Sequence, residues 1–533
     1  MEEKAKNLAK STAAIIIFSL LGKFLGLGRE ALIASQYGSG MEKAAWTVAQ
    51  SSTGLMSALI TEAIATTFIP QLQKVHLNEP PEAKDRFTSN MISVSMVVAI
   101  IVALLGIIFA PFIANITGGG FDPETKNLTI SLIRYSMPLI IFAATVGIFT
   151  GYLQFNNRFA AAGAVNLPYN AIYILYLVFL VPSFGIKGLA IFSILAVLGQ
   201  VLFLIPSVLK EDFHFKPVLD FKDPYTHQAL LLSLPVLVSV SINNINTIFN
   251  KYLATGLGNA AVSRLDYANK INLVILGIFI TAITSVVFPA MSRAFAEKNQ
   301  LLGKQIMNGA VKAILLITVP SAIGMAVLSR PIIEIALQYG AFTPEDTIET
   351  AKVLVFYSPV LVFLSINNAL NRVFFSIQDT KTPFYIGICN VAINITLNLL
   401  VVKTLGVKGL AGSVSVATAV ACLLRFIILR KRIGHLGISS YIRAIIKTCL
   451  AGLIMGIFAS VAFFPLESLL MGFLAGVKLR LAKLLLLLIV VLCSAFLYGL
   501  ILYLLGFREV RDLVHLLQTR MEKRKERKAL NKK

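Results

Sequence analysis

An ionised side chain in the hydrocarbon core of a membrane costs several kcal/mol, so the few that a very apolar chain keeps there tend to mark cavities or substrate paths. Eight cations remain in or at the edges of apolar runs of this sequence, and the deep ones are Lys23, Arg29, Arg134 and Lys270. Lys23 and Arg29 share one run with Gly22, Gly26 and Gly28. On a straight helix they point about 120° apart, so a glycine-loosened helix is needed to turn both into one cavity. Two acids are close by. Glu30 follows Arg29, and Asp266 precedes Lys270 by four residues, on the same helical face. Arg and Lys are the usual donors to phosphate, so a cavity lined by these groups favours an anionic, phosphate-bearing substrate. The competing reading is that each cation snorkels to an interface or pairs locally, and it weighs most for Arg134.

Other polar groups are sparse. Glu62 reads as a satisfied interior residue and Glu334 as a residue near the outer end of its run; an exporter of cationic drugs would want more acids. Asn243, Asn244, Asn246 and Asn250 cluster in one run, and Asn390, Asn394 and Asn398 recur every four residues in another. Interhelical hydrogen bonding is their ordinary use, and a monovalent-cation site made of amides alone would be weak. The five histidines fall in loops or tails, and neither a P-loop nor a metal-ligand spacing occurs, so no enzyme activity and no resident cofactor are expected.

The elements that must position these groups follow from composition. The chain has 533 residues, 57% hydrophobic and 14% charged, with a mean hydropathy of +0.80. A soluble domain is about 25% charged, so the expected fold class is an all-α polytopic membrane protein. Runs of about 20 apolar residues predict fourteen spans, near 11–36, 44–72, 88–114, 127–152, 159–182, 186–209, 229–252, 262–290, 309–334, 351–375, 382–402, 408–429, 443–465 and 481–506. The first run lacks a small-residue cleavage site and reads as a retained helix rather than a signal peptide. Four cysteines, Cys389, Cys422, Cys449 and Cys493, lie inside apolar runs and read as buried small hydrophobes.

A net charge of +22 suggests nucleic acid at first sight. The positions of the cations argue against it. Lys and Arg concentrate on the loops and ends that share a side with the N-terminus, so most of the excess is topology, with both termini cytoplasmic. The end 508–533 is a short amphipathic stretch followed by a polybasic one. It reads as a solvated tail that fixes orientation, with a patch for anionic lipid as the sharper alternative.

The chain also repeats itself at about 220 residues. GIKGLA (185–190) recurs as GVKGLA (406–411), Asn166 and Asn170 match Asn390 and Asn394, and Phe68-Ile69-Pro70 parallels Val287-Phe288-Pro289. Six spans per repeat is an even number, so the halves enter the membrane in the same direction, which is the parallel-repeat transporter plan. The expected organisation is an N-terminal lobe (1–215, spans 1–6), a C-terminal lobe (216–435, spans 7–12), two extra helices (436–507) and the basic tail.

The segment GKFLGLGREALIASQYGSG resembles the first-span signature of the MurJ-type (MviN) lipid II flippases, and LDYANKINLVILGIFITAITSVVFPAMS resembles their eighth-span block. QYGAFTPEDT and NRVFFSIQDTKTPFYIGICNVAINITLNLL, followed by GVKGLA, are similar to their spans 10 to 12. The resemblance implies two lobes of the multidrug and polysaccharide flippase superfamily. It implies movement of the undecaprenyl-diphosphate glycopeptide lipid II across the bacterial cytoplasmic membrane, with membrane lipids and other cell-wall synthesis proteins as partners. It places the family's essential cations on Lys23, Arg29 and Lys270, two of them Lys where the family usually has Arg. Further charged positions of the family fall on Ala44, near Met56 or Ser57, and on Leu273. The family's Na+-binding carboxylates fall on Asn250 and Asn398, beside Asn394, so this trio is the candidate ion site and the membrane potential is the alternative driving force. Spans 13 and 14 correspond to a groove for the lipid tail. A flippase for another polyprenyl-diphosphate oligosaccharide needs the same cationic cavity; a cation-coupled multidrug exporter and a membrane-embedded glycosyl- or acyltransferase fit the residues less well.

Overall fold

The computed structural model of the chain describes residues 2–297, 299–474, 476–512 and 519; the side chains of 2–16, 238–240, 242–243, 278–290, 292 and 296 lie outside that description. The described residues are helical, without strands. α1 (Glu2–Tyr37) and α2 (Met41–Asn78) meet at the turn 38–40, and α3 (Pro81–Ile108) runs into the short α4 (Ala110–Thr117). α5 (Pro123–Ser136) and α6 (Leu139–Phe155) form one pair bent by 47°. α7 (Phe159–Ala164), α8 (Asn166–Phe179) and α9 (Val181–Leu209) complete the first half. The second half holds α10 (Pro224–Thr255), α11 (Asn259–Ala296), α12 (Gln300–Val327), α13 (Ser329–Leu337), α14 (Pro344–Ser376) and α15 (Lys381–Ile433). α16 (Ile438–Phe473) and α17 (Gly476–Leu504) follow.

Helix starts follow local chemistry. Pro occupies the first turn after Pro80, Asp122 and Asp223, where its missing N–H costs nothing. Asp122 caps α5 by accepting from the Glu124 and Thr125 amides, and hydrogen bonds from the Thr125 hydroxyl and amide hold its carboxyl below the usual range.

Among the described residues, nine helices are long and apolar enough to cross a membrane, or ten if α5 and α6 are one span. That number counts α15 as one helix, although two helices meet there at a kink. α15 has 53 residues, about 80 Å of helix against a hydrocarbon core of about 30 Å. It breaks at Gly406 and holds the two predicted spans 382–402 and 408–429. Among the cysteines only Cys422 is buried; Cys493 is exposed on α17, beside Leu485, Leu488, Leu492 and Phe496. In a bilayer an outward apolar face is at home, so apolarity alone did not imply burial.

Two compact units emerge. One comprises Met1–Val274, Ala336–Thr350 and Gly387–Ser413; the other comprises Ile275–Ile335, Ala351–Ile386 and Val414–Lys533. The core of the first stacks Phe68 on Phe87, with ring centroids 5.7 Å apart, and sets Tyr152 edge-on to Phe213 at 5.3 Å. The core of the second packs α12, α16 and α17 around Val311, Leu315, Ala451 and Tyr498.

The repeat is visible in the backbone. Gly185 has φ 54° and ψ −154°, and Gly406 has φ 55° and ψ −137°. This region is open to glycine almost alone, so GIKGLA and GVKGLA encode the same kink. A second correspondence lies in the first unit, where two loops dock backbone to backbone. The Ala341 amide donates to the Ser35 carbonyl at 2.8 Å, and a β-carbon on Gly340 would lie 2.2 Å from that same oxygen. The Gly120 amide donates to the Thr255 hydroxyl at 3.0 Å, and a β-carbon on Gly120 would lie 2.4 Å from the Gly256 nitrogen. The docking loops have matching sequences, Gly-Gly-Phe-Asp-Pro-Glu-Thr (119–125) and Gly-Ala-Phe-Thr-Pro-Glu-Asp (340–346). Their last residues hold corresponding side-chain bonds. The Thr125 hydroxyl accepts from Asn259 at 3.0 Å, while Asp346 accepts from Ser39 at 2.5 Å and Arg264 at 2.9 Å.

Gly406→Ala forces a side chain into a glycine-only conformation and is expected to destabilise the protein by about 1–3 kcal/mol. The check is a lowered melting temperature in detergent, against an unchanged one for Gly387→Ala, which sits on the same helix in open space.

Candidate functional site

Glu30 and Asp266 organise the site. α1 places Lys23, Arg29 and Glu30, the first turn of α2 places Lys43, the last turns of α10 place Lys251, and α11 places Asp266 and Lys270. The Glu30 carboxylate lies 2.9 Å from Arg29 Nη2, 2.9 Å from Lys270 Nζ and 3.6 Å from Lys43 Nζ. Asp266 lies 3.0 Å from both Lys43 and Lys270 and 3.1 Å from Lys251. Four cations thus surround two carboxylates, leaving an excess of two positive charges. The Lys43 side chain is 0% exposed and the two acids 6%, while Arg29 and Lys270 keep 14% and 24%.

That gradient divides the labour. Lys43 is locked between both acids and over the Tyr267 ring, 4.4 Å from its centroid. Arg29 and Lys270 face a cavity of about 260 Å³ that Lys23, Gly26, Glu30 and Tyr267 also line. The Arg29 guanidinium is clamped 5.5 and 5.2 Å from the ring centroids of Tyr169 and Tyr173. Its buried Nε has no hydrogen-bond partner among the described residues. Lys23 has no ion pair among the described residues. A buried cation in excess of its counter-charges is costly, and an anion entering the cavity offsets that cost.

The structure brings Lys23, Arg29 and Lys270 together on one cavity wall although α1 is a continuous helix. Arg134 is placed elsewhere. It is exposed on α5, where its Nε donates to the Ile107 carbonyl at 3.4 Å, and it lines none of this cavity. Lys43 and Lys251 escaped the sequence reading because each sits at the end of an apolar run and reads as a loop cation; only the fold folds them inward. A usable signal was Asp266, an acid in an apolar run beside a single cation four residues away.

Asn250, Asn394 and Asn398 also converge. The Asn398 amide donates to Asn250 at 2.5 Å and to Asn394 at 3.0 Å, all three buried. The buried Asn398 Oδ1 has no partner among the described residues. The Asn243 side chain lies outside the described residues. The trio is neutral, and its neighbour Lys251 already carries an ammonium to Asp266. Among the described residues no group of three or more His, Cys, Asp or Glu could hold a metal ion.

Glu62 is not enclosed as the sequence suggested. It is exposed to a second cavity of about 460 Å³ between α2, α6, α8 and α9. Gln50, Ser57, Gln154, Asn166 and Gln200 share its wall, as do Tyr169 and Tyr173, the rings that hold Arg29. Glu334 is paired within the second unit. Lys483 lies 2.5 Å from it and 2.8 Å from Glu467, tying α13, α16 and α17 together.

Fold and site define a multi-pass helical membrane protein built on an internal repeat, with a cation-rich cavity in its first unit. The model of the family "lipid II flippase MurJ" matches residues 33–503, and the chain belongs to that family. A probable lipid II flippase MurJ of Vibrio cholerae is 26% identical over 467 residues, covering 85% of this chain and 88% of that one. A solved structure of lipid II flippase MurJ in an inward closed conformation superposes with a TM-score of 0.75 at 24% identity, over 94% of this chain and 99% of the other. An inward-facing multidrug resistance transporter of the MATE family shares the fold at TM-score 0.66 and 14% identity, over 80% and 98%.

Lys43→Met removes the fully buried one of the two cations, Lys43 and Lys270, that both acids share, and leaves the acids partly uncompensated in the interior. Its expected cost is about 3–5 kcal/mol, read as loss of folded protein on a sizing column. Lys251→Met, at the edge of the cluster, should remain folded with a smaller drop in melting temperature.

Proposed function

We propose that this chain flips lipid II from the inner to the outer leaflet of the bacterial cytoplasmic membrane, acting as a transporter rather than an enzyme. The observation that carries the reading is the excess of two cations around Glu30 and Asp266, opening to a cavity through Arg29 and Lys270. A diphosphate presents the complementary charge. As it enters, Arg29 and Lys270 exchange carboxylate oxygens for phosphate oxygens, and the fully buried Lys43 stays between Glu30 and Asp266, so neither acid is left bare. Arg29 offers the planar fork suited to bidentate phosphate binding, whereas Lys270 and Lys23 act as point charges.

The glycopeptide headgroup has its own candidate place. The cavity of about 460 Å³ lined by Gln50, Gln154, Asn166, Gln200 and Glu62 falls within the range of about 300–1,000 Å³ for ligand pockets. Its amides and carboxylate suit sugar hydroxyls and peptide groups, and Tyr169 and Tyr173 place it next to Arg29. The polyprenyl tail stays in the bilayer while two six-helix lobes rock about the bound headgroup, with both termini on the cytoplasmic side. A neutral amide trio at Asn250, Asn394 and Asn398 offers Na+ no counter-charge, so the reading assigns the driving force to the membrane potential, worth about 2.3 kcal/mol per charge per 100 mV.

Arg29→Ala and Lys270→Ala are each expected to abolish rescue of a bacterium depleted of its own lipid II flippase, with lipid II accumulating in the inner leaflet and the variants still inserted. Arg134→Ala should rescue fully. Growth of the Arg29→Ala/Lys270→Ala double variant would overturn the site. In vesicles, dissipating the potential should slow transport at least tenfold, and exchanging Na+ for K+ at constant potential should leave the rate unchanged.

A further inference from the structure

A second basic site lies in the other compact unit, far along the chain from the cluster above. The start of α16, the middle of α12 and the turn after α17 enclose a cleft of about 290 Å³ lined by Lys312, Arg443, Lys447, Arg508 and Glu509. Four cations face one carboxylate. Lys312 is taken up by Glu509 at 3.1 Å. Lys447 donates to the Leu505 and Gly506 carbonyls at 2.7 and 3.3 Å, bracing the end of α17. The two guanidiniums are left open. Among the described residues Arg443 bonds only its own helix, through Ser439 O at 3.3 Å, and Arg508 is 87% exposed with Asp512 no nearer than 4.0 Å.

What lies beside the cations decides which anion fits. Arg443, Ile446, Leu450 and Leu453 follow one another at helical spacing and share one face of α16, and the three apolar residues are 60%, 48% and 58% exposed. Leu500 and Leu504 of α17, 45% and 72% exposed, lead up to Arg508. The stripe from Arg443 to Leu453 is about 15 Å long, close to half the hydrocarbon thickness of a bilayer. A cationic head above a single-leaflet length of apolar surface is the complement of one amphiphile. A free phosphate would use the head and leave the stripe uncovered.

We infer that this cleft binds an anionic membrane phospholipid, its phosphate between Arg443 and Arg508 and its acyl chains along the α16 and α17 stripes. The site is lined by residues of the second compact unit, whereas the diphosphate cavity is lined by residues of the first. Basic pockets between membrane helices are suited to such headgroups.

The test is native mass spectrometry of the full chain released from vesicles that contain equal phosphatidylglycerol and phosphatidylcholine. The wild-type protein is expected to retain phosphatidylglycerol preferentially. Arg443→Gln/Arg508→Gln should lower that preference roughly thirty-fold, Arg443→Lys/Arg508→Lys should keep most of it, and Glu509→Gln, which removes the only acid among the described residues of the cleft, should raise it. Both arginines are exposed, so the variants are expected to melt as the wild type does in neutral detergent. An unchanged preference in the Gln double variant overturns the inference. Displacement of the lipid by millimolar inorganic phosphate overturns it too, because the site would then be one for a free anion. So does equal retention of phosphatidylcholine.

Discussion

Two carboxylates hold four cations away from water in the first unit, and the placement of four helices depends on that arrangement. Lys43 has no exposed surface, so its charge is tolerable only while Glu30 of α1 and Asp266 of α11 both reach it. Separating α1, α2, α10 or α11 would strip a charge of its partner at a cost of several kcal/mol. Because the cations outnumber the acids, the cluster is never neutral by itself. The residual field emerges where Arg29 and Lys270 are least covered, toward the cavity. A structural ion network and a binding site for an anion are therefore one object, distinguished only by exposure.

The helix ends are held by a different device that serves the same region. Ser39, on the turn before Lys43, and Arg264, two residues before Asp266 on α11, bond Asp346, and Tyr267, which packs on Lys43, donates to the Gly38 carbonyl at 3.0 Å. The loop at 119–125 repeats the docking on Gly256 with neutral groups, Thr125 and Asn259, in place of the charged pair. One loop thus docks by backbone packing plus an ion pair and the other by backbone packing plus an amide. Glycine is required at Gly120 and Gly340 by the distance between chains.

Much of the site was legible because membrane burial makes charge rare. Lys23, Arg29 and Lys270 could be picked from 48 Lys and Arg by their apolar surroundings; Glu30 could be assigned to Arg29 as its direct neighbour and Asp266 to Lys270 by helical spacing. The same reasoning also named Arg134, with snorkelling weighing most there, and the structure leaves it exposed on α5 with its Nε donating to the Ile107 carbonyl; an apolar run does not tell which face of its helix turns outward. Lys43 and Lys251 were invisible for the opposite reason. Each lies beside a run's end, where a cation normally meets water, and no local feature distinguishes a buried end from a wet one. Glu62 and Cys493 went astray on the same point: apolar neighbours in sequence do not say whether a side chain meets protein, a cavity or lipid.

The sequence by itself determined the helical membrane fold, the duplication and the sign of the site's charge, since hydropathy, glycine-specific kinks at Gly185 and Gly406, and surviving cations are properties of residue type and spacing. Only the tertiary structure decided how many cations share how many acids, which of them are sealed and which stay open, and that Tyr169 and Tyr173 join the charged cavity to the amide-lined one. Those depend on distances between helices far apart in the chain, and a few ångströms there separate a buried ion pair from a binding site.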